Sequence, residues 1–444
     1  MRRVYLDHAA TTPTDQRVKE AMNSFWTEEF GNAGGLYEEG RLAKNALVKS
    51  RETIARIIGA RPEEIIFTSG GTESDNLAIF GVAFGAAPLS SKPGFESAKK
   101  PGFFPSGAIK PHIITTKFEH HAVLEPCQQL AKENFDVTFL DVGEDGIVKP
   151  ENVKRSLRPE TILVSIMYAN NEIGTVQPIA EIGNIIREFR AQNKSAYPYF
   201  HTDACQAAGY LDLNVNPPAG GLGVDLMTVN GSKIYGPKGI GFLYRKMGVK
   251  IKPQIIGGGQ EMRMRSGTEP VALIVGLAKA LEIAQAERFA ESARLTPLRD
   301  YFIAELQKRV PKVILNGHPT KRLPNNINVS ILDIEGEALV LYLDAKGISF
   351  STGSACTSES LEPSHVILAL GKPYEFAHAS MRFTMGRGTT KEEVDYVLSE
   401  LPSAVEWLRK VSPLNLKLGA KSMSHPEAFA GENLKVKAKS QSYK

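Results

Sequence analysis

Through most of this chain, short apolar runs end in a polar turn and lead into a helical pattern. "EEIIFTSGGTESDNLAIFGVA" reads strand, glycine turn, helix, and "HIITTKFEHHAVLEPCQQLAKE" reads strand, loop, helix. "TILVSIMYANNEIGTVQPIAEIGNIIREFR" repeats the plan, while "YFHTDACQAAG", "VDLMTVNGSK" and "GIGFLYRK" add further strands. Strands that alternate with helices build a mostly parallel sheet covered on both faces, so the expected fold class is α/β. Ligands of such sheets bind beyond the carboxyl ends of the strands. The polar residues that directly follow these runs are therefore the candidates for chemistry.

After about residue 290 the pattern changes to a smaller α+β unit: "TPLRDYFIAELQKRV" is helical, "NNINVSIL" a strand, "GEALVLYLDAKG" a helix, "MRFTMG" a strand and "KEEVDYVLSELPSAVEWLRK" a closing helix. The expected organisation is a large unit over 16–289 and a smaller one from 1–15 and 290–410. Residues 86–111 carry five prolines and three glycines, with "KPGF" twice. That composition supports neither a helix nor a central strand and predicts a surface insertion. Residues 411–444, poor in aromatics and rich in Lys, Ser and Gly, are expected to form a flexible basic tail. Its six lysines and two glutamates account for the whole formal charge of +4, so the body is balanced and no nucleic-acid partner is implied.

Of the 444 residues, 42% are hydrophobic, enough for a sizeable core. Three cysteines at unrelated spacings form neither a disulfide framework nor a C-x-x-C metal pair, which suits a reducing, cytoplasmic setting and no metal. No apolar run follows the two N-terminal arginines, and none approaches a membrane span, so neither a signal peptide nor a membrane partner is expected.

"SGGTESDN" opens a helix after a strand, where Gly71 and Thr72 would offer backbone N–H groups to a phosphate; Thr72 or Ser74 as an ordinary helix cap is the alternative. Asp203 of "HTDACQ" ends an apolar strand, where a buried carboxylate needs a cation such as a protonated pyridine nitrogen; a strand-end Asp that caps the next helix is the alternative. Gln206 lies close by. Lys233 of "NGSKIYGPKGIG" follows a strand at the sheet's edge, where a Schiff base could form. Lys238, inside the G-P-K-G turn, is its rival and is expected to point outward. His120 and His121 follow another strand, and one of them could stack on a flat ring. Arg382 of "MRFTMGRG" could clamp a carboxylate through two parallel hydrogen bonds. Together these residues equip a pyridoxal 5′-phosphate site acting on an amino acid.

The sequence resembles the cysteine desulfurases of the iron–sulfur cluster type, within the class V aminotransferase family. The resemblance rests on "YLDHAATTP", "FTSGGTESDNLAI", "EHHAVLEP", "NNEIG", "DACQ", "KIYGPKGIG", "MRSGTEP", "STGSACTS" and "MRFTMGR", in the family's order. It implies the type I fold of pyridoxal phosphate-dependent transferases and a homodimer. It also implies roles: Lys233 carrying the cofactor, Asp203 on the ring nitrogen, His120 stacked on the ring and shuttling a proton. Asn171 and Gln206 would bond the phenolic oxygen. Gly71, Thr72, Asn230 and Ser232 would hold the phosphate, with Thr268 reaching that of the other subunit. Arg382 would take the carboxylate of L-cysteine, and Cys356 would attack its sulfur, giving L-alanine and a persulfide for an acceptor such as an iron–sulfur scaffold, or for tRNA thiolation. A selenocysteine lyase or a class V aminotransferase is the alternative enzyme, and a non-catalytic sulfur-transfer scaffold the alternative outside catalysis.

Two stretches depart from the family pattern. Ser232 stands where histidine is common before the lysine, with Asn230 where Ser or Thr is common, and Tyr37 of "NAGGLYEEG" stands in place of a histidine. Cys356 sits in "STGSACTSES", too small and polar to pack a core. Gly353, Ser354 and Ala355 leave room for a nucleophile that must approach and leave. Cys127 and Cys205 are expected to be small buried core residues.

Overall fold

The computed structural model describes residues 2–86, 110–217, 220–353 and 363–412. Cys356, most of the Pro-rich insertion and residues 413–444 lie outside the described residues.

Among the described residues there are twelve strands: β1 (Val4–Tyr5), β2 (Ile65–Thr68), β3 (His112–Thr116), β4 (Asp136–Leu140), β5 (Thr161–Ser165), β6 (Tyr199–Asp203), β7 (Leu226–Asn230), β8 (Gly241–Arg245), β9 (Val313–Leu315), β10 (Asn326–Ile331), β11 (Ile348–Ser349) and β12 (Ser380–Thr384). The main sheet has seven strands in the order β2-β8-β7-β6-β5-β3-β4. From β7 to β4 every pairing is parallel, and β8 runs antiparallel to both of its neighbours. β2, β3, β5 and β6 are buried along their whole length, which is why they read as continuous apolar or β-branched runs. β4, on the edge, is half exposed and reads "DVTFL"; its weak pattern hid it from sequence analysis.

A second, antiparallel sheet has the order β12-β10-β9, and β1 pairs parallel with β11. Val4 and Leu6 pack with Phe302, Val329, Phe383 and Leu401 in a core separate from that of the main sheet. One helix, Val271–Arg309, joins the two. At a rise of about 1.5 Å per residue it is roughly 58 Å long. Ile274, Leu277 and Leu281 bury against the main core, and Leu295, Phe302 and Leu306 against the second. The change of pattern near residue 290 therefore falls inside a continuous helix, at the point where its buried face passes from one core to the other.

Among the described residues no helix is long and apolar enough to cross a membrane, and no group of three or more His, Cys, Asp or Glu side chains is arranged to hold a metal ion.

Candidate active site

The carboxyl ends of β2, β6 and β7 and the loops after β3 and β5 bring the candidate residues together. After β2 the chain turns through Gly70, whose φ of +153° favours glycine, into the helix Gly71–Gly85. Gly70 takes the N-cap place without a side-chain bond, so neither Thr72 nor Ser74 caps this helix. The Ser74 hydroxyl instead meets that of Thr68 at 2.7 Å. The first helical turn thus presents N–H groups with no intrahelical partner. A Cβ on Gly71 would stand 3.0 Å from Cys205 Sγ, so glycine keeps this concave surface clear. Glu73, in the same turn, is drawn aside by Arg265 at 3.0 Å. Burial opposes ionising Glu73, but the bonds from Arg265 and Ser69 hold its carboxyl below the usual range.

Asp203 ends β6 at 8% exposure, and its Oδ1 accepts from the Cys205 amide at 2.9 Å. Among the described residues no cation is paired with it. Asn230 ends β7 and caps the short turn Gly231–Lys233, its Oδ1 accepting from both the Ser232 amide and hydroxyl at 3.2 Å. Lys233 Nζ donates to the carbonyls of Ala9 at 2.9 Å and Ala10 at 2.5 Å. Gln206 Nε2 donates to the same Ala9 carbonyl at 2.9 Å. Lys238 is exposed, as expected.

His120 caps the helix His121–Lys132, its Nδ1 accepting from the Ala122 amide at 3.1 Å. The neutral ring therefore carries its proton on Nε2. Burial lowers the pKa of His120; Asp203 opposes this, and Lys233 and Arg382 add to it, so all four share one electrostatic environment. Asn171, in the loop after β5, keeps a buried Oδ1 without a partner among the described residues. Arg382, on β12, comes from the second sheet. Its Nη1 donates to the Asn171 carbonyl at 3.0 Å and its Nη2 to Asp7 Oδ1 at 2.8 Å, while among the described residues Nε–H is buried without a partner.

Thr268 is exposed in the loop before Val271–Arg309. Cys127 and Cys205 are buried, the second beneath the start of Gly71–Gly85. Tyr37 is exposed. Residue types alone assign no task to "YLDHAATTP". In the fold this segment supplies Asp7 to Arg382 and two carbonyls to Lys233, and backbone carbonyls leave no signature in a sequence.

The set fits pyridoxal 5′-phosphate. Unpartnered helix N–H groups suit its phosphate, the unpaired Asp203 suits a protonated ring nitrogen, the orphaned Asn171 Oδ1 suits a hydroxyl, and Lys233 suits its aldehyde carbon.

A family profile described as Aminotransferase class-V matches residues 4–89 and 105–397. A protein named cysteine desulfurase IscS from Dictyoglomus turgidum is 50% identical over 412 residues, 93% of this chain and 97% of that protein. Its namesake from Methanosarcina thermophila is 48% identical over 93% of this chain and 95% of its own length. A solved NifS-like protein is 34% identical with a TM-score of 0.79, covering 92% of this chain and all of that one. Another, described as SspA in complex with cysteine, is also 34% identical, with a TM-score of 0.70 over 86% of this chain and 98% of that one. The fold and the resemblance read from the motifs are both borne out: the chain belongs to the aminotransferase class-V family and, within it, to the cysteine desulfurases.

Proposed function

We propose that this site takes sulfur from L-cysteine, releases L-alanine and leaves the sulfur as a persulfide on Cys356. The observation that carries the reading is the convergence of Lys233, Asp203, His120 and the start of Gly71–Gly85 at one end of the sheet, with Arg382 reaching in from the second sheet. Bound there, pyridoxal 5′-phosphate supplies an electron sink that makes the substrate's Cα proton removable and its Cβ–S bond labile.

The chain's own residues do the rest. Gly71 and Thr72 hold the phosphate with backbone N–H groups, joined by Asn230 and Ser232. Asp203 keeps the ring nitrogen protonated, because a buried carboxylate is stabilised by a cation beside it. Asn171 and Gln206 bond the phenolic oxygen. Arg382 fixes the substrate carboxylate through its remaining N–H groups. Lys233 Nζ, held by Ala9 and Ala10, would hold the cofactor's aldehyde carbon and would take the substrate's Cα proton. His120 stacks on the ring and moves a proton at the substrate thiol through Nε2. Cys356 Sγ bonds to the substrate sulfur as the Cβ–S bond breaks, so cysteine plus thiol gives alanine plus persulfide. We further propose a cytoplasmic homodimer in which Thr268 reaches the partner's phosphate, a division at residues 16–289 against 1–15 with 290–410, and an iron–sulfur scaffold as acceptor.

The test is mass analysis of the Cys356 peptide after holoenzyme meets L-cysteine without an acceptor. One added sulfur, removed by reductant, is expected, together with loss of alanine formation in Cys356→Ala. Full alanine formation by that variant would refute the reading.

A further inference from the structure

Glu172 is buried at 3% exposure, directly after Asn171. Its backbone is fixed: the amide donates to Asn170 Oδ1 at 2.8 Å, and the carbonyl accepts from Asn326 Nδ2 at 2.9 Å and Asn328 Nδ2 at 3.2 Å. Its carboxyl touches two other places in the chain. Oε2 accepts from Ser364 Oγ at 2.5 Å. A Cβ on Gly353 would stand 2.2 Å from Oε2 and 3.2 Å from Ser364 Cβ, so the Gly353 backbone lies against both. Ser364 Oγ in turn accepts from the Ile367 amide at 3.2 Å and caps the helix His365–Ala369.

We infer that Glu172 is a positioning residue for sulfur transfer: its carboxyl bonds to Ser364 and packs against Gly353, the two described residues that bracket Cys356 in the chain, and so holds them to the loop that presents Asn171 and binds Arg382. A buried carboxyl persists only with partners, and here the hydrogen-bond partner is Ser364. Burial pushes it up to about 7, while the Ser364 bond and Arg382 favour its ionised form. Fixing Gly353 and Ser364 against the site fixes the two points of the chain between which the nucleophile is carried, and positioning of this kind is worth rate. Glycine at 353 suits the same contact, since a Cβ there would force the Glu172 carboxyl to shift.

The inference rests on the desulfurase reading, and the experiment separates the two. Holoenzymes of wild type, Glu172→Ala, Glu172→Gln and Ser364→Asp are compared for alanine formation, for KM of L-cysteine and for exchange of the substrate Cα hydrogen with deuterated water. Exchange does not use Cys356. Aspartate at 364 still caps the helix but opposes the carboxyl, so it tests the contact without removing the cap. Alanine formation in Glu172→Ala and Ser364→Asp should fall about tenfold or more, with KM within about threefold and exchange unchanged. Glutamine, which can still accept from Ser364, should recover most of the rate. Wild-type rates of alanine formation in both variants would overturn the inference, as would exchange falling in step with it. A wild type that exchanges no Cα hydrogen and makes no alanine overturns the desulfurase reading, and the inference with it.

Discussion

Replacing Arg382 by lysine should weaken L-cysteine binding without dismantling the site. Arg382 is 4% exposed and already serves Asp7 and the Asn171 carbonyl, and among the described residues its Nε–H has no partner. A guanidinium gripping a carboxylate makes two charge-assisted hydrogen bonds, each contributing about 1.5–3 kcal/mol. Lysine keeps the charge and one bond, so about 2 kcal/mol is lost, or roughly thirtyfold in affinity. Alanine is the poorer probe, because it strands Asp7 and the Asn171 carbonyl and would destabilise the fold by about 3 kcal/mol. The assay is the initial rate of alanine formation against L-cysteine concentration, with holoenzyme, alongside the melting temperature. KM should rise about thirtyfold with kcat changed less than about threefold, since the clamp holds ground state and transition state alike. A KM within about twofold of wild type, with a lowered melting temperature, would refute the argument and leave Arg382 as a strut between Asp7 and Asn171.

Three further outcomes follow from the geometry. Lys233→Ala should prevent borohydride from fixing the cofactor to the chain, read by mass and absorbance; persistent fixation would reassign the lysine. Gly71→Val should weaken cofactor binding about tenfold or more, because a Cβ already meets Cys205 Sγ at 3.0 Å, and dissociation followed by fluorescence checks it. Glu119 is fully buried, and burial pushes its carboxyl up to about 8 against the bonds from Met167 and Thr116. A folded-state pKa above the unfolded one means that the protonated form stabilises the fold at low pH and that this stability is lost as pH rises toward about 8. Glu119→Gln cannot titrate, so its stability relative to wild type should be greater at about pH 9 than at about pH 6 in urea unfolding. An equal difference at the two pH values would contradict this.

The sequence by itself determined the strand–turn–helix plan, because a strand buried on both faces must be a short apolar run and its end must be polar. It also pointed to Asp203, Lys233, His120 and Gly71, each of which lies directly beyond such a run, where local order alone decides position. The motifs sufficed for the family. Only the tertiary structure revealed the edge strand β4, whose half-exposed residues carry little apolar signal, and the unbroken helix Val271–Arg309, whose buried face changes partner rather than stopping. Only it showed what the N-terminal segment does. Asp7 meets Arg382 across 375 positions, and the Ala9 carbonyl meets both Lys233 and Gln206. The task of Glu172 is not legible in "NNEIG", because Ser364, to which it bonds, and Gly353, against which it packs, stand far off in the chain. A side chain's chemistry can be read from its letter, but a buried group's partner is set by which distant segments pack beside it, and a carbonyl is the same under every letter.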